Sequence, residues 1–427
     1  MKKMKPNRIY AYILKQIYNE RHSNWALLAE LLIVSCIVWY IVDSSYTMIM
    51  RASEPMGFDK TNCYQVIVDR LDSDAVGYDP AHPDSTDITL ADRLALIDRI
   101  RHDEDIEAAA YSMRNDPYNG SSMYSNVKYD TLESNVRIMI CEPDMMRVFR
   151  YKSTDGKTPE QLAALLKDRN IFLSEGVFGK YIDDLNKLIG KEMSINTPGD
   201  TLPRRLAGVV KPIKRFGFEE VKYTRNIIVP MINDVIAGGY WSPNLSIRVK
   251  DSHAKGFEER FRQKIKGQKI RAGNYYVSGL TSYDRLQKDS QTETDTQIRN
   301  NIIVIVFLLI NVFLGLLGTF WFRTQHRFPE IGLQKAIGAT NTDITLRLLA
   351  EGVFLLTIAF IPSLLIDFGM GYNQLTEYYQ GVTQNTGRFI VCASTAYLMM
   401  LLIIALGIWF PALRATKANP VEVLRGE

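Results

Sequence analysis

Apolar residues are not spread evenly along this chain. They gather in four runs, at residues 25–42, 302–322, 346–366 and 389–410, and a long stretch of mixed polarity separates the first from the rest. A hydrocarbon core of about 30 Å is crossed by a helix of about 20 apolar residues, so each run predicts a membrane-spanning helix. Trp321 and Trp409 close two of the runs beside basic residues, as side chains at a membrane interface do. Glu351 and Pro362 interrupt the third run; neighbouring helices can satisfy a carbonyl freed by such a proline. Glu30 lies ~7.5 Å along the first, at 1.5 Å per residue. That places its carboxylate either within reach of the interface or against another helix. Ile33-Val34-Ser35-Cys36 loosely resembles a lipoprotein cleavage site, but the apolar run continues through Val42, which argues for a retained helix.

The middle of the chain has the periodicities of a folded α+β domain, without repeats. Strands are predicted at 64–68 (YQVIV), 136–140, 170–173, 206–210 and 245–249 from β-branched and alternating residues. A helix opens at Thr89 with Leu90, Leu94, Ile97 and Ile100 near one face. TPEQLAALLK at 158–167 predicts another, with Thr158 as cap and Pro159 in the first turn. A further helix is expected over 254–266. Residues 280–300 lack Gly and Pro, which favours a polar helical stalk leading into the second apolar run over a flexible linker.

Composition averages out this segregation: 427 residues, 46% hydrophobic and 23% charged, with net charge +4. So mild a charge, without a basic run, gives no sign of nucleic acid as a partner. The basic residues do orient the spans. Lys2, Lys3, Lys5, Arg8, Lys15 and Arg21 precede the first; Arg323, Arg327, Lys335 and Arg347 lie between the second and third; Arg414, Lys417 and Arg425 follow the last. The 367–388 link has only Arg388, beside Asp367 and Glu377. Both termini and the 323–347 link are therefore expected in the cytoplasm, and the large domain outside it.

Chemistry is sparse. His82 and His102 stand near acids, but in stretches that resemble solvated loops and helix ends. Residues 172–176 (FLSEG) lack the first glycine of a nucleophile elbow. No HExxH and no GxxxxGK[ST] phosphate loop occurs, so no catalytic or metal site is expected, and ATP, if used, must be bound by another chain. Four cysteines are present. Cys36 and Cys392 fall inside apolar runs; Cys63 and Cys141 are candidates for a disulfide if their domain lies outside the cytoplasm.

The link between the second and third runs reads PEIGLQKAIGATNTDI, 329–344. Pro329 and Glu330 suit the start of a helix, and Ile331, Leu333, Ala336 and Ile337 give it a partial apolar face. Gly338 stops it, and Thr340 to Asp343 caps the next. On physics alone this is a short helix at the membrane surface, serving either to anchor a loop or to receive a docked protein.

The same segment resembles the one that follows the second span in MacB/FtsX-family ABC transporter permeases. Glu330, Ile331, Gly332, Leu333, Lys335, Ala336, Ile337, Gly338, Ala339, Thr340, Asp343 and Ile344 match its usual form, whereas Gln334 stands where that family often has a basic residue. The tail PALRATKANPVEVLRGE is similar to the family's closing motif through Pro411, Ala412, Ala415, Asn419, Pro420, Val423, Leu424 and Arg425. DGKTPEQ, NIFLSEGVFGKY, LIGKEMSIN and RRLAGVVKPIKRFGFEE resemble its extracytoplasmic core in order, but 70–130 has no family motif.

The resemblance implies an α-helical membrane protein with four transmembrane helices, one plus three, and a large α+β extracytoplasmic MacB-like domain inserted between the first and second. The expected boundaries are a cytoplasmic segment 1–24, spans 25–50, 298–322, 346–368 and 389–410, the domain 51–297, a coupling helix and loop 323–345, an outer loop 369–388 and a tail 411–427. It further implies that Glu330, Ile331, Gly332, Leu333, Gln334, Lys335, Ala336, Ile337, Gly338, Ala339 and Thr340 couple to a cytoplasmic ABC ATPase holding ATP and magnesium. Pro411, Arg414, Pro420, Leu424 and Arg425 would form the cytoplasmic tail. The permease would dimerise with itself or a related chain in a bacterial inner membrane. An extracytoplasmic adaptor or hydrolase is the expected outer partner, according to whether the complex exports a substrate or regulates a cell-wall enzyme or lipoprotein release.

Overall fold

The computed structural model describes residues 21–113, 116–195, 202–221, 224–231, 233, 243–266, 270–379 and 381–416. The basic residues before 21, and Lys417, Asn419, Pro420, Val423, Leu424 and Arg425 of the tail motif, lie outside them. Contacts divide the chain into two units, Met1–Met50 with Asp295–Glu427, and Arg51–Thr294.

Among the described residues, the Arg51–Thr294 unit is built on eleven strands: β1 (Cys63–Arg70), β2 (Ile106–Ser112), β3 (Met123–Tyr129), β4 (Leu132–Cys141), β5 (Asn170–Ser174), β6 (Glu192–Ile195), β7 (Arg204–Val210), β8 (Asn226–Pro230), β9 (Asn244–Val249), β10 (Arg271–Ala272) and β11 (Tyr275–Ser282). Their order is β10-β11-β1-β9-β2-β4-β3-β6-β7-β5-β8, and β8 also pairs in parallel with β4. Six strands thus form a closed ring, from which an antiparallel sheet continues through β2. Closure removes the edges that an open sheet would leave unpaired.

The ring's alternation separates two cores. Val136, Ile138 and Ile140 of β4, Ile171 and Leu173 of β5, and Ile227 and Val229 of β8 pack into one cluster. Met139 and Cys141, Phe172 and Ile228, from the intervening positions, pack into another with Phe149, Tyr151 and Tyr283. Strands covered on both faces read as continuous apolar runs, which is why Asn226–Pro230 gives no period-2 signal. A third cluster lies under the antiparallel sheet, where Leu96, Ile97 and Ile100 of α2 (Thr86–Arg101) meet Leu245, Ile247 and Val249 of β9. The stripe expected on α2 is displaced: Leu94 is exposed, and Thr89, Arg93, Leu96, Ile97 and Ile100 face inward.

Two short helices follow β4: α3 (Met145–Val148) and α4 (Pro159–Leu165), the latter with a complete Thr158/Gln161 capping box and Pro in its first turn. The helix expected over 254–266 begins later, as α5 (Phe257–Lys266), after a 3-10 turn at Asp251–His253. The strands Ile106–Ser112, Met123–Tyr129 and Tyr275–Ser282 have no counterpart among the sequence expectations.

The Cys63–Cys141 disulfide is not formed; both thiols are free and buried. Cys63 opens β1 and Cys141 ends β4, and β9 and β2 run between those strands. Three inter-strand steps of about 4.8 Å exceed the roughly 7 Å that a disulfide spans between Cα atoms. The Cys63 thiol instead donates to the Val148 carbonyl at 3.0 Å.

Among the described residues, four helices, lying wholly or mostly in the other unit, are long and apolar enough to cross a membrane. They are α1 (Arg21–Ser53), α6 (Tyr283–His326), α8 (Asn341–Tyr372) and α9 (Thr386–Thr416), with the short α7 (Phe328–Ala336) between α6 and α8. Leu27, Leu31, Val34 and Val38 of α1 form one stripe of its core, with Val312, Leu316 and Phe320 of α6 and inward residues of α8 and α9. Gly352 of α8 allows close approach to α9; a Cβ there would stand 2.2 Å from Ile408 Cδ1.

Helix ends differ from the expected boundaries. α6 starts at Tyr283, so the polar residues before the second apolar run are helical and continuous with it. α8 runs on to Tyr372, and α9 passes through Pro411 to Thr416, so the first residues of the expected tail, Pro411 and Arg414 among them, continue the last helix. The two acids inside the runs are accommodated differently. Glu351, almost fully buried, accepts from Arg327 at 2.9 Å, and the half-buried Glu30 lies over Gly315, where a Cβ would stand 3.1 Å from its carboxylate oxygens.

Candidate functional site

The segment that drew attention in the sequence folds as its local signals require. α7 begins with Pro in its first turn and Glu330 beside it. It stops where Gly338 takes φ +100°, a conformation that costs a residue with a Cβ about 1–2 kcal/mol. The Gly338 and Ala339 amides close the end by donating to the Lys335 and Gln334 carbonyls, both at 2.9 Å. Thr340 then caps α8 with a full capping box: its hydroxyl accepts from the Asp343 amide and the Asp343 carboxylate accepts from the Thr340 amide. One residue, Ala339, thus separates the stop of one helix from the cap of the next.

The helix is seated on its own unit. Ile331 and Gly332 are buried, Ile331 within the core that contains Ile344 and Leu348 of α8. Glu330 pairs with Arg347 of α8 at 3.3 Å and accepts from Gln334 at 3.1 Å. Lys335 donates to the Thr416 carbonyl near the end of α9. Arg327, just before α7, holds the buried Glu351. Arg414 of α9 covers the Trp321 ring at 4.2 Å, and Trp321 stacks on Phe410.

The apolar face read from the sequence splits in two. Ile331 points into the core, whereas Leu333 and Ile337, one turn apart, are 54% and 63% exposed, with Ala336 exposed beside them. Ile331 and Leu333 are two residues, or about 200°, apart on a helix, so one face cannot hold both. The arrangement is a short, anchored helix that presents an apolar ridge. Sequence reading did not identify Arg327 and Arg347 as supports; the only signal was a cation and an acid in helices that had to pack.

The remaining candidates have hydrogen-bond partners within their own unit. His82 Nδ1 lies 2.7 Å from Asp92 and the exposed His102 2.8 Å from the Asp98 carbonyl. The Ser174 hydroxyl donates to the Thr224 carbonyl and accepts from the Asn226 amide. Among the described residues no group of three or more His, Cys, Asp or Glu side chains is placed to hold a metal.

Residues 302–420 match the model of the FtsX-like permease C-terminal domain. The chain is 22% identical over 332 residues to the Macrolide export ATP-binding/permease protein MacB of Agrobacterium fabrum, covering 75% of this chain and 48% of that protein. It is 20% identical over 314 residues to the MacB of Acinetobacter baylyi, covering 72% and 45%, and 33% identical over 113 residues to that of Chlorobaculum tepidum, covering 26% and 17%. The chain therefore spans about half the length, or less, of these curated relatives. Among solved structures, the extracellular domain of the noncanonic ABC-type transporter YknZ from Gram-positive bacteria aligns at 15% identity over 51% of this chain and all of that one, at a TM-score of 0.29 too low to bear on the fold. The family match falls on the helices that contain and flank α7 and the relatives' alignments reach well beyond them, so the chain has an FtsX-like permease C-terminal domain and is similar to MacB-type permeases over most of its length.

Proposed function

We propose that the chain is the permease subunit of an ABC transporter and that α7 is the helix through which a separate cytoplasmic ATPase drives it. The observation that supports this most directly is the exposed Leu333–Ile337 ridge on a helix fixed by Ile331, Glu330 and Lys335. An unsupported loop would yield under a push; a capped helix locked to α8 and α9 passes displacement on. ATP and magnesium belong to the ATPase subunit in this reading.

The charge pattern orients the chain with α7 and both ends of the sequence in the cytoplasm and residues 51–297 outside, in a bacterial inner membrane, giving one span before that domain and three after it. α6 continues from Tyr283 through the apolar run without interruption, so movement at α7 has a stiff path outward. The subunit acts as a dimer, with itself or a related permease, and uses ATPase closure to move the extracytoplasmic domain. Export is favoured over regulation of a cell-wall hydrolase or lipoprotein release because the aligned relatives are named as macrolide exporters and their alignment covers three quarters of this chain. An extracytoplasmic adaptor is then the expected outer partner.

The test is purification of the tagged full chain from its native membrane in mild detergent, with partners identified by mass spectrometry, beside a Leu333→Asp/Ile337→Asp variant. An ABC ATPase that accompanies wild type and is lost from a variant of unchanged melting temperature supports docking through the ridge. An ATPase retained by the variant, or none with wild type under conditions that preserve a known permease complex, overturns it.

A further inference from the structure

Near the end of α9 one cation, Arg414, stands without an acid. Its neighbours in this part of the helical unit are engaged: Arg327 pairs with Glu351, Arg347 with Glu330, and Lys335 donates to the Thr416 carbonyl. The exposed Arg414 has no ion pair and no hydrogen bond among the described residues. What holds it is the Trp321 ring of α6, 4.2 Å from its Cζ, and Trp321 in turn stacks on Phe410. An aromatic face attracts a cation but leaves its five N–H donors for another partner. Gln325, exposed one turn after Trp321, also has no hydrogen-bond partner among the described residues. Both polar groups line one cleft, with Trp321, Thr324, Phe328 and Pro411 as its walls.

Arg414 also ends a ridge. Leu402, Leu406 and Phe410 precede it at intervals of four residues, each more than half exposed. At 1.5 Å per residue the ridge is about 18 Å long, with Arg414 about 6 Å beyond the end of the apolar run. Half of a bilayer is about 15 Å of hydrocarbon, or about 20–22 Å with its headgroup layer. The ridge therefore has the length of one leaflet, apolar along the hydrocarbon and cationic at the headgroups. A guanidinium matches a phosphate with paired N–H donors. The acids of α7 and the adjoining part of α8, Glu330, Asp343 and Glu351, are taken by Arg347, Thr340 and Arg327, so the ammonium of a zwitterionic headgroup finds no carboxylate there.

We propose that Arg414, Gln325 and Trp321 form a headgroup site for an anionic phospholipid whose acyl chain follows Leu402, Leu406 and Phe410. The proposal rests on the reading that α9 crosses a membrane. The phosphate takes the free donors of Arg414 and the Gln325 amide, and so bridges α9 to α6. Because Lys335 of α7 holds the end of the same α9, the bound lipid steadies the seat of α7, and membrane composition bears on it.

The experiment is native mass spectrometry of the full chain in detergent, titrated with phosphatidylglycerol or with phosphatidylethanolamine of the same acyl chains. The first phosphatidylglycerol should bind more tightly than the first phosphatidylethanolamine. Arg414→Gln, with an unchanged melting temperature because the side chain is exposed, should weaken that first phosphatidylglycerol about fivefold or more and leave phosphatidylethanolamine as it was. Arg414→Lys keeps the charge without the fork and should fall between. Arg285→Gln removes an exposed cation from the polar part of α6 and should change nothing. Inorganic phosphate should not displace the lipid. The proposal is overturned by equal affinity for the two lipids, by an Arg414→Gln variant that binds as wild type does, by an equal loss in Arg285→Gln, or by displacement with inorganic phosphate. A wild-type dimer that Arg414→Gln dissociates, with lipid binding unchanged, assigns the ridge to a second copy and overturns it as well. Alkaline extraction of the native membranes tests the underlying reading separately: a chain that stays in the bilayer but shows no phosphatidylglycerol preference refutes the site alone, whereas a chain that is extracted refutes the membrane reading and the site together.

Discussion

Arg248 tests how the Arg51–Thr294 unit is held together. Its side chain is wholly buried on β9, and its guanidinium donates to three carbonyls: Val148 at 2.6 Å, Thr61 at 2.8 Å and Asp59 at 2.5 Å. The Asp59 carboxylate lies 3.4 Å away. Replacing Arg248 by Met keeps much of the volume but removes every donor. Val148 retains the Cys63 thiol, whereas Thr61 and Asp59 retain only longer sulfur contacts, at 3.6 and 3.8 Å. Two carbonyls losing their main donor cost about 1–3 kcal/mol each. The relieved desolvation of the guanidinium offsets part of this, so the net loss is about 2–4 kcal/mol. For a unit of this size each kcal/mol shifts the melting temperature by about 2–4 °C, which gives a fall of about 4–16 °C. The assay is thermal unfolding of the full chain in detergent, followed by a thiol-reactive dye, because Cys63 sits in this node and is released with it. Arg248→Lys, with a shorter reach and fewer donors, should fall between the two. A fall under about 2 °C for Arg248→Met would correspond to less than 1 kcal/mol and would refute the assignment of Arg248 as the clamp between β9, the segment before β1 and α3.

Thr340→Ala removes half of the α8 capping box and should cost about 1 kcal/mol, read as a lowered melting temperature without loss of helix content at low temperature. Gly338→Val places a β-branched residue at φ +100° and should misalign α7 with α8, weakening ATPase copurification more than Gly338→Asn does. Burial tends to raise the carboxyl of Asp105, but hydrogen bonds from Arg260, His253 and Lys264 outweigh it and hold it below the ordinary aspartate range. The stabilisation is then present above about pH 4 and lost as pH falls through the depressed value, so Asp105→Asn should lower stability at neutral pH and flatten its decline in acid, as measured by denaturant melts across pH. Burial pushes the Cys63 thiol up to about 12 and raises that of Cys141 further. Neither should react with maleimide in the native chain, and both should react once it is unfolded; labelling of either without denaturant would contradict the buried, unpaired thiols.

Local chemistry made part of this protein readable in advance. The four apolar runs, the α4 capping box at Thr158 with Pro159, and the passage from Pro329 through Gly338 to Thr340 depend on residues within one or two turns of each other. Periodicity was a weaker guide wherever both faces of an element are covered. β8 shows no alternation, β2 is an alanine-rich strand, and the inward face of α2 is shifted from the one its leucines suggested.

What the sequence by itself determined was the set of membrane-length helices, the start and stop of α7, and the strands whose β-branched residues alternate, because each follows from neighbours along the backbone. Tertiary structure alone decided the closing of the ring through β4 and β8, the separation of Cys63 from Cys141 by two intervening strands, and the pairing of Asp43 with Arg388. It also decided which face of α7 is exposed, since Ile331 and Leu333 are equally apolar and only packing against Ile344 and Leu348 chooses between them. These are contacts between residues tens to hundreds of positions apart, and no local pattern specifies such a partner. They exist because a buried charge, carbonyl or strand edge must find one somewhere in the folded chain.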